Sequence, residues 1–260
     1  MANYVYGSLE ITGDKKELLK FKEFAKGEEA FFDSYNTPKK WDISKTDLDM
    51  NKFIPYPEKF KKIDEDNYKY SEKVKEVKKK VEAGKKKLTP EEREIANELA
   101  ICELEGNPMP YQTDGYNSGG YEWCSKNWGT KWNFCDVTLD EKNGNLLYTF
   151  STAWSVPFPV LIKMSKVFPN LTFDYYGDEE SEEFEIGLVL KEGKIIKQEE
   201  KNWAEIKIDK IESGETDDWD YDMDLYNELV KHKGHKVSYD GTNHFLCETC
   251  NNKIIWDTSK

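Results

Sequence analysis

Trp123-Cys124-Ser125-Lys126-Asn127-Trp128-Gly129-Thr130-Lys131-Trp132-Asn133 opens the stretch on which the fold turns, and Ala153-Trp154-Ser155-Val156-Pro157-Phe158-Pro159 follows after two alternating runs. Four of the eight tryptophans fall between Trp123 and Phe173. Large rings beside Gly and Pro punctuation predict a fixed local geometry. Between the two motifs, Asn133–Leu139 and Leu146–Thr152 read as strands joined by the turn Lys142-Asn143-Gly144. Ser155 is placed to cap a helix whose buried face is Val160, Leu161, Met164, Val167 and Phe168, and Pro169-Asn170 ends it. Leu171–Tyr175 is another strand, so this half reads β–β–α–β.

Working outward, residues 3–12 alternate, with Val5, Gly7, Leu9 and Ile11 on one side and Tyr4, Tyr6, Ser8 and Glu10 on the other. Asp14 and Glu17 form a capping pair before Leu18, Phe21 and Ala25 at helical spacing, and Gly27 stops that helix. Residues 28–57 look irregular, with Phe53-Ile54-Pro55-Tyr56-Pro57 as a stiff extended segment. Over about 58–105, Tyr70, Val74, Val77 and Val81 make one helical stripe. Thr89-Pro90-Glu91-Glu92 starts a second helix carrying Ile95, Leu99 and Cys102. The order β–α–(insert)–β–β–α–β predicts an α+β chain: a ferredoxin-like sheet with an inserted α-hairpin. Residues 1–212 form that domain, with extra strands over about 183–211. Residues 213–260 read as an acidic linker followed by a small Cys/His β-ribbon tail.

The segments Met1-Ala2-Asn3-Tyr4, Asn127-Trp128-Gly129-Thr130-Lys131-Trp132 and Tyr148-Thr149-Phe150-Ser151-Thr152-Ala153-Trp154-Ser155-Val156-Pro157 carry a resemblance. They resemble the YubB ferredoxin-like family, small proteins of phages, prophages and plasmids that include the Api-type phage proteins. The resemblance covers roughly residues 2–190, interrupted by the insert. It implies a ferredoxin-like fold, a mobile-element origin and an accessory role, and it brings no catalytic residues.

Composition narrows the function classes. A net charge of −13 disfavours a general nucleic-acid binder, because phosphate is repelled by such a field, and it suits docking on a basic partner surface. Arg93 is the only arginine, so the bidentate fork that recognises phosphate is almost absent. The start of the chain lacks a secretion pattern, and no apolar run is long enough to span a membrane. With five cysteines, this predicts reduced thiols in a bacterial cytoplasm.

The sharpest chemistry lies in the tail. His232, His235 and His244 are the only histidines, beside the only CxxC, Cys247-Glu248-Thr249-Cys250. Neutral imidazole and thiolate are zinc ligands, and a CxxC turn aims two sulfurs at one ion. His232, His235, Cys247 and Cys250 therefore compose a closed structural zinc site, with His244 as an alternative ligand. Asn251 stands where such turns need the left-handed conformation, which Asn tolerates. A β-ribbon without metal is the competing reading.

Asp218, Asp220 and Asp222 belong to an acidic run that fails the calcium-loop template, lacking Gly and Glu at the required places. A solvated linker explains it best, and a protein-docking patch is the functional alternative. Trp123, Trp128 and Trp132 are candidates for a binding surface, although packing competes. The lysine-rich insert on an acidic chain leaves self-association open. Phosphate-loop, dinucleotide, His-Glu-x-x-His and Gly-x-Ser-x-Gly templates are missing, and no histidine precedes His232. The reading is a non-enzymatic accessory protein that binds a host protein, such as a defence component. The alternatives are a nucleic-acid-associated module with a structural zinc tail, and an enzyme with an unrecognised carboxylate site.

Overall fold

The structure, a computed structural model, describes residues 3–29, 44–84, 87–106, 114–181, 183–213, 223–235, 237–239 and 244–255. The chain opens with β1 (Tyr4–Thr12) and α1 (Lys15–Ala25), whose N-cap Asp14 accepts the Lys16 N–H. Two short strands, β2 (Gly27–Glu29) and β3 (Ser44–Thr46), pair with each other in the region that reads as irregular. Then come α2 (Glu58–Glu82), α3 (Pro90–Leu104) and α4 (Tyr121–Asn127). The second half supplies β4 (Cys135–Lys142), β5 (Asn145–Ala153), α5 (Phe158–Val167) and β6 (Thr172–Glu179). After it come β7 (Phe184–Lys191), β8 (Lys194–Asn202), α6 (Trp203–Ser213) and α7 (Met223–Val230). The tail ends in β9 (Val237–Tyr239), β10 (His244–Cys247) and β11 (Asn252–Ile255).

The main sheet is antiparallel throughout, in the order β4-β5-β1-β6-β7-β8. Its first four strands, with α1 and α5, make two interleaved β–α–β units. That is the ferredoxin-like arrangement, extended by β7 and β8. Alternation along β1 buries Val5, Leu9 and Ile11, and β5 and β6 add Tyr148, Phe150, Phe173 and Tyr175 to the same core. Phe21 of α1 lies within 5.1 Å, ring to ring, of Phe168 and within 5.6 Å of Phe173.

The tryptophan segment is tied to the end of β5. Thr130 Oγ1 donates to the Ala153 carbonyl at 2.9 Å and accepts the Ala153 N–H at 3.1 Å. Gly129 has φ +81°, and a Cβ there would lie 2.7 Å from Pro159 Cδ. This close approach explains why Gly129 and the Val156–Pro159 turn belong to one motif. Ser155 does not cap α5: its hydroxyl donates to the Gly129 carbonyl, and Pro157 occupies the N-cap position. The turn at Trp154 (φ +70°) directs Ser155 toward Gly129 instead.

The hairpin α2–α3 carries its own small core of Val74, Val77 and Ile95. Thr89 and Glu92 cap α3 reciprocally. The base of α2 docks on the domain through Phe60 and Asp64.

One expectation is corrected. The strands placed over about 183–211 end at Asn202, and Trp203–Ser213 is helical. Asn202 Oδ1 accepts the N–H groups of Ala204 (3.0 Å) and Glu205 (3.2 Å), while Glu205 Oε2 accepts the Asn202 N–H at 3.1 Å. That reciprocal cap starts a helix, and Ala204 and Ile208, one helical turn apart, are buried against Leu229, Val237 and Cys247. So α6 leans on both the sheet and the tail.

Candidate metal centre

Two local structures position the Cys/His set. The first is the turn that continues α7, where His232 N–H donates to Leu229 O at 2.8 Å and His235 N–H to His232 O at 2.9 Å. Gly234, at φ +79°, lets this turn reverse. The second is the link from β10 to β11, where the Cys250 N–H donates to Cys247 Sγ at 3.4 Å. Asn251 takes the left-handed conformation there, φ 56°. Both are consequences of local sequence, and β9–β10–β11 pairing brings them face to face.

One ligand atom from each of His232, His235, Cys247 and Cys250 lies within 4.8 Å of all the others. Cys247 Sγ is 3.6 Å from His235 Nδ1, and Cys250 Sγ is 3.7 Å from His232 Nδ1. Bond lengths of about 2.3 Å to sulfur and about 2.0–2.1 Å to nitrogen put tetrahedral S···N edges near roughly 3.6 Å. Those two edges fit a zinc tetrahedron, whereas Cys250 Sγ to His235 Nδ1, at 3.0 Å, would have to lengthen. Cys247 and His232 are buried, His235 is half-buried and Cys250 is exposed, so the centre lies at the tail surface with one wall in the core. The Cys250 thiol is held above its ordinary value, first by its hydrogen bond with Cys247 and then by desolvation. A cation between the sulfurs would reverse that by stabilising both thiolates.

The centre is anchored from outside. Asn202 Nδ2 donates to the His235 carbonyl at 3.1 Å. This outer contact is not evident from motif spacing, because Asn202 lies 33 positions from His235. His244 opens β10 and pairs in register with Ile255.

The other candidates separate. Trp128 is a core residue: only 3% of it is exposed, and its indole N–H donates to the Ile54 carbonyl at 2.8 Å. This corrects its reading as a surface ligand. Trp123 packs edge-on against Trp128 (5.5 Å) and Tyr56 (5.6 Å), and Trp132 is half-buried. Trp154 is half exposed, with Lys131 Nζ over its ring. Cys124 is fully buried, and burial together with nearby Asp64 pushes its thiol up to about 12, so it packs rather than reacts. Asp218, Asp220 and Asp222 lie outside the described residues.

Comparison with known proteins places part of the chain. Residues 127–227 match the family model of the ferredoxin-like domain in Api92-like protein. The Api92-like match starts on the Asn127–Trp132 motif and runs through β8 and α6 into α7. It therefore covers every strand of the main sheet except β1 and stops before the metal centre. Among solved structures, a protein api92 from Yersinia pseudotuberculosis is similar at 10% identity and a TM-score of 0.40, over 78% of this chain and 99% of that one. No residue correspondence follows from that distance. No curated protein matches the chain. Among the described residues, no helix is long and apolar enough to cross a membrane.

Proposed function

We propose that this chain is a non-enzymatic binding protein: an Api92-like ferredoxin-like domain whose tail is closed by a structural zinc ion. It acts on a host protein in a bacterial cytoplasm, as an accessory protein of a mobile element. The observation that carries the reading is the donor set itself. Two imidazoles and two thiols converge within 4.8 Å of one another, the number of donors that closes a tetrahedral zinc site and leaves no open position for substrate. Such a metal staples the β10–β11 turn to the turn after α7. The net charge of −13 supports a basic protein partner, and the sequence resemblance to phage and plasmid proteins supports a defence component as that partner.

The test is affinity capture from bacterial lysate with the zinc-loaded full chain, alongside a substrate panel. A reproducible protein partner with no turnover supports the reading. Turnover abolished by a carboxylate substitution, without a partner, overturns it.

A further inference from the structure

The helices α1 and α5 cover one face of the sheet, and the alternation that buries Val5, Leu9, Phe150 and Tyr175 turns other side chains to the opposite face. On β1 and β6 these include Tyr6 and Tyr176, 49% and 46% exposed. Register makes them diagonal neighbours, because Tyr6 pairs with Asp178 and Ser8 with Tyr176. On the other flank, Ser8 pairs with Thr149 and Tyr6 with Ser151. A cleft of about 310 Å³ lies over this junction, with Asp136 and Asp178 in its lining.

Asp136 reaches the cleft through a backbone irregularity. The β4–β5 register shifts between Cys135 and Thr138, and Asp136 itself has φ +53°. A bulge of this kind re-aims a side chain, and here Asp136 Oδ2 accepts the Ser151 hydroxyl at 3.3 Å. Glu180 lies at the same end, accepting the Tyr4 N–H at 3.1 Å. Nearby cations come from β8 and α6: Lys201 is held by Asp209 (2.8 Å) and Glu185 (3.6 Å), and Lys210 bears on Asp178.

We propose that the cleft between Tyr6, Tyr176, Asp136 and Asp178 takes an arginine or lysine side chain from a basic segment of a protein partner. This rests on the reading of the chain as a protein-binding module and names the chemistry that its partner presents. Tyrosine rings attract a cation to their faces, and a carboxylate beside them pairs with it directly. The volume stands at the small end of ligand pockets, which run from about 300 Å³ upward, and is ample for one long side chain. Nucleic acid fits poorly, since stacking platforms need a basic groove to carry the phosphates, and this rim is acidic.

The zinc-loaded full chain is titrated against a fluorescent (Gly-Arg)4 peptide, with a citrulline analogue as the uncharged control. Affinity is expected to fall about tenfold in the Tyr6→Ala/Tyr176→Ala variant and in the Asp136→Asn/Asp178→Asn variant. It is expected to hold in Tyr6→Phe/Tyr176→Phe, which keeps the rings, and in Glu94→Gln/Glu103→Gln, which removes equal charge from α3. Amide shifts in nuclear magnetic resonance are expected at Tyr6, Ser8, Thr149 and Tyr176. The proposal is overturned by absent binding, by equal losses in the face and α3 variants, or by Tyr-dependent binding of a mixed-sequence single-stranded RNA instead. A host partner held equally by wild type and the face variants overturns the cleft while leaving the protein-binding reading intact.

Discussion

Asn202 donates its side-chain N–H to the carbonyl of His235 at 3.1 Å while its oxygen accepts the N–H of Ala204 at 3.0 Å. One amide thus joins the end of β8, the start of α6 and the turn that carries two metal-ligand candidates. Asn202→Asp keeps the cap acceptor but loses the donor; Asn202→Ala loses both. The alanine variant is expected to cost about 1 kcal/mol in unfolding free energy, and the aspartate variant much less. Both are expected to surrender zinc to a chromophoric chelator about tenfold more readily than wild type. Equal retention in all three proteins would show that the contact does not orient the centre.

Protein prepared without chelators is expected to carry about one zinc per chain by elemental analysis. Replacing Cys247 and Cys250 with serine is expected to remove it while the sheet keeps its circular-dichroism signature. Acid should release the ion below about pH 5, where imidazole and thiolate both hold protons. Metal-free wild-type protein from zinc-replete cells would refute the centre.

Asp64 gives a stability signal with a defined sign. Its Oδ1 accepts the N–H groups of Gly115 (2.6 Å) and Tyr116 (3.3 Å) beneath the base of the hairpin. Burial pushes its carboxyl up to about 6, against the pull of those two donors. A folded-state value above the unfolded one means that the folded chain binds the proton more tightly. The contribution is therefore full below about pH 4 and is lost as pH rises through about 6. Asp64→Asn keeps an acceptor and has no such loss. Relative to wild type it is expected to gain about 2–3 kcal/mol between pH 4 and pH 7. Urea titrations at several pH values read this directly, and a pH-independent difference would count against it.

Trp128→Phe removes the donor to Ile54 and some buried volume. The orphaned carbonyl and the cavity together are expected to cost about 2–4 kcal/mol. Zinc content should be unchanged, since Trp128 packs in the main core. A cost below about 0.5 kcal/mol would mean that water or a neighbour replaces the bond.

These sites differ in how far the sequence discloses them. β1 is legible because Val5, Leu9 and Ile11 alternate with polar residues, and α3 because Thr89 and Glu92 sit at capping spacing. The Cys/His set is legible because its residue types are rare here and closely spaced. Trp203–Ser213 misleads because Ala204, Ile206 and Ile208 also satisfy a two-residue period. The Asn202/Glu205 pair was the available signal for a helix. Trp128 has the composition of a stacking surface, and only its bond to Ile54, 74 positions away, makes it core. The Tyr6–Tyr176 cleft depends on register between strands far apart in sequence, which no local pattern contains.

The position of β1 in the sheet has a consequence for synthesis. Tyr4–Thr12 leaves the ribosome before the other strands of its sheet, yet its neighbours are β5 and β6. Thr12 and Asn145 are 133 positions apart, so at about 5–20 residues per second the strand waits roughly 7–27 s for its first partner. Meanwhile α2 and α3 can close on Val74, Val77 and Ile95 through contacts local to the hairpin. The insert is thus suited to occupy the nascent chain while a hydrophobic strand with two open edges waits beside it, the stage at which chaperone capture and aggregation compete.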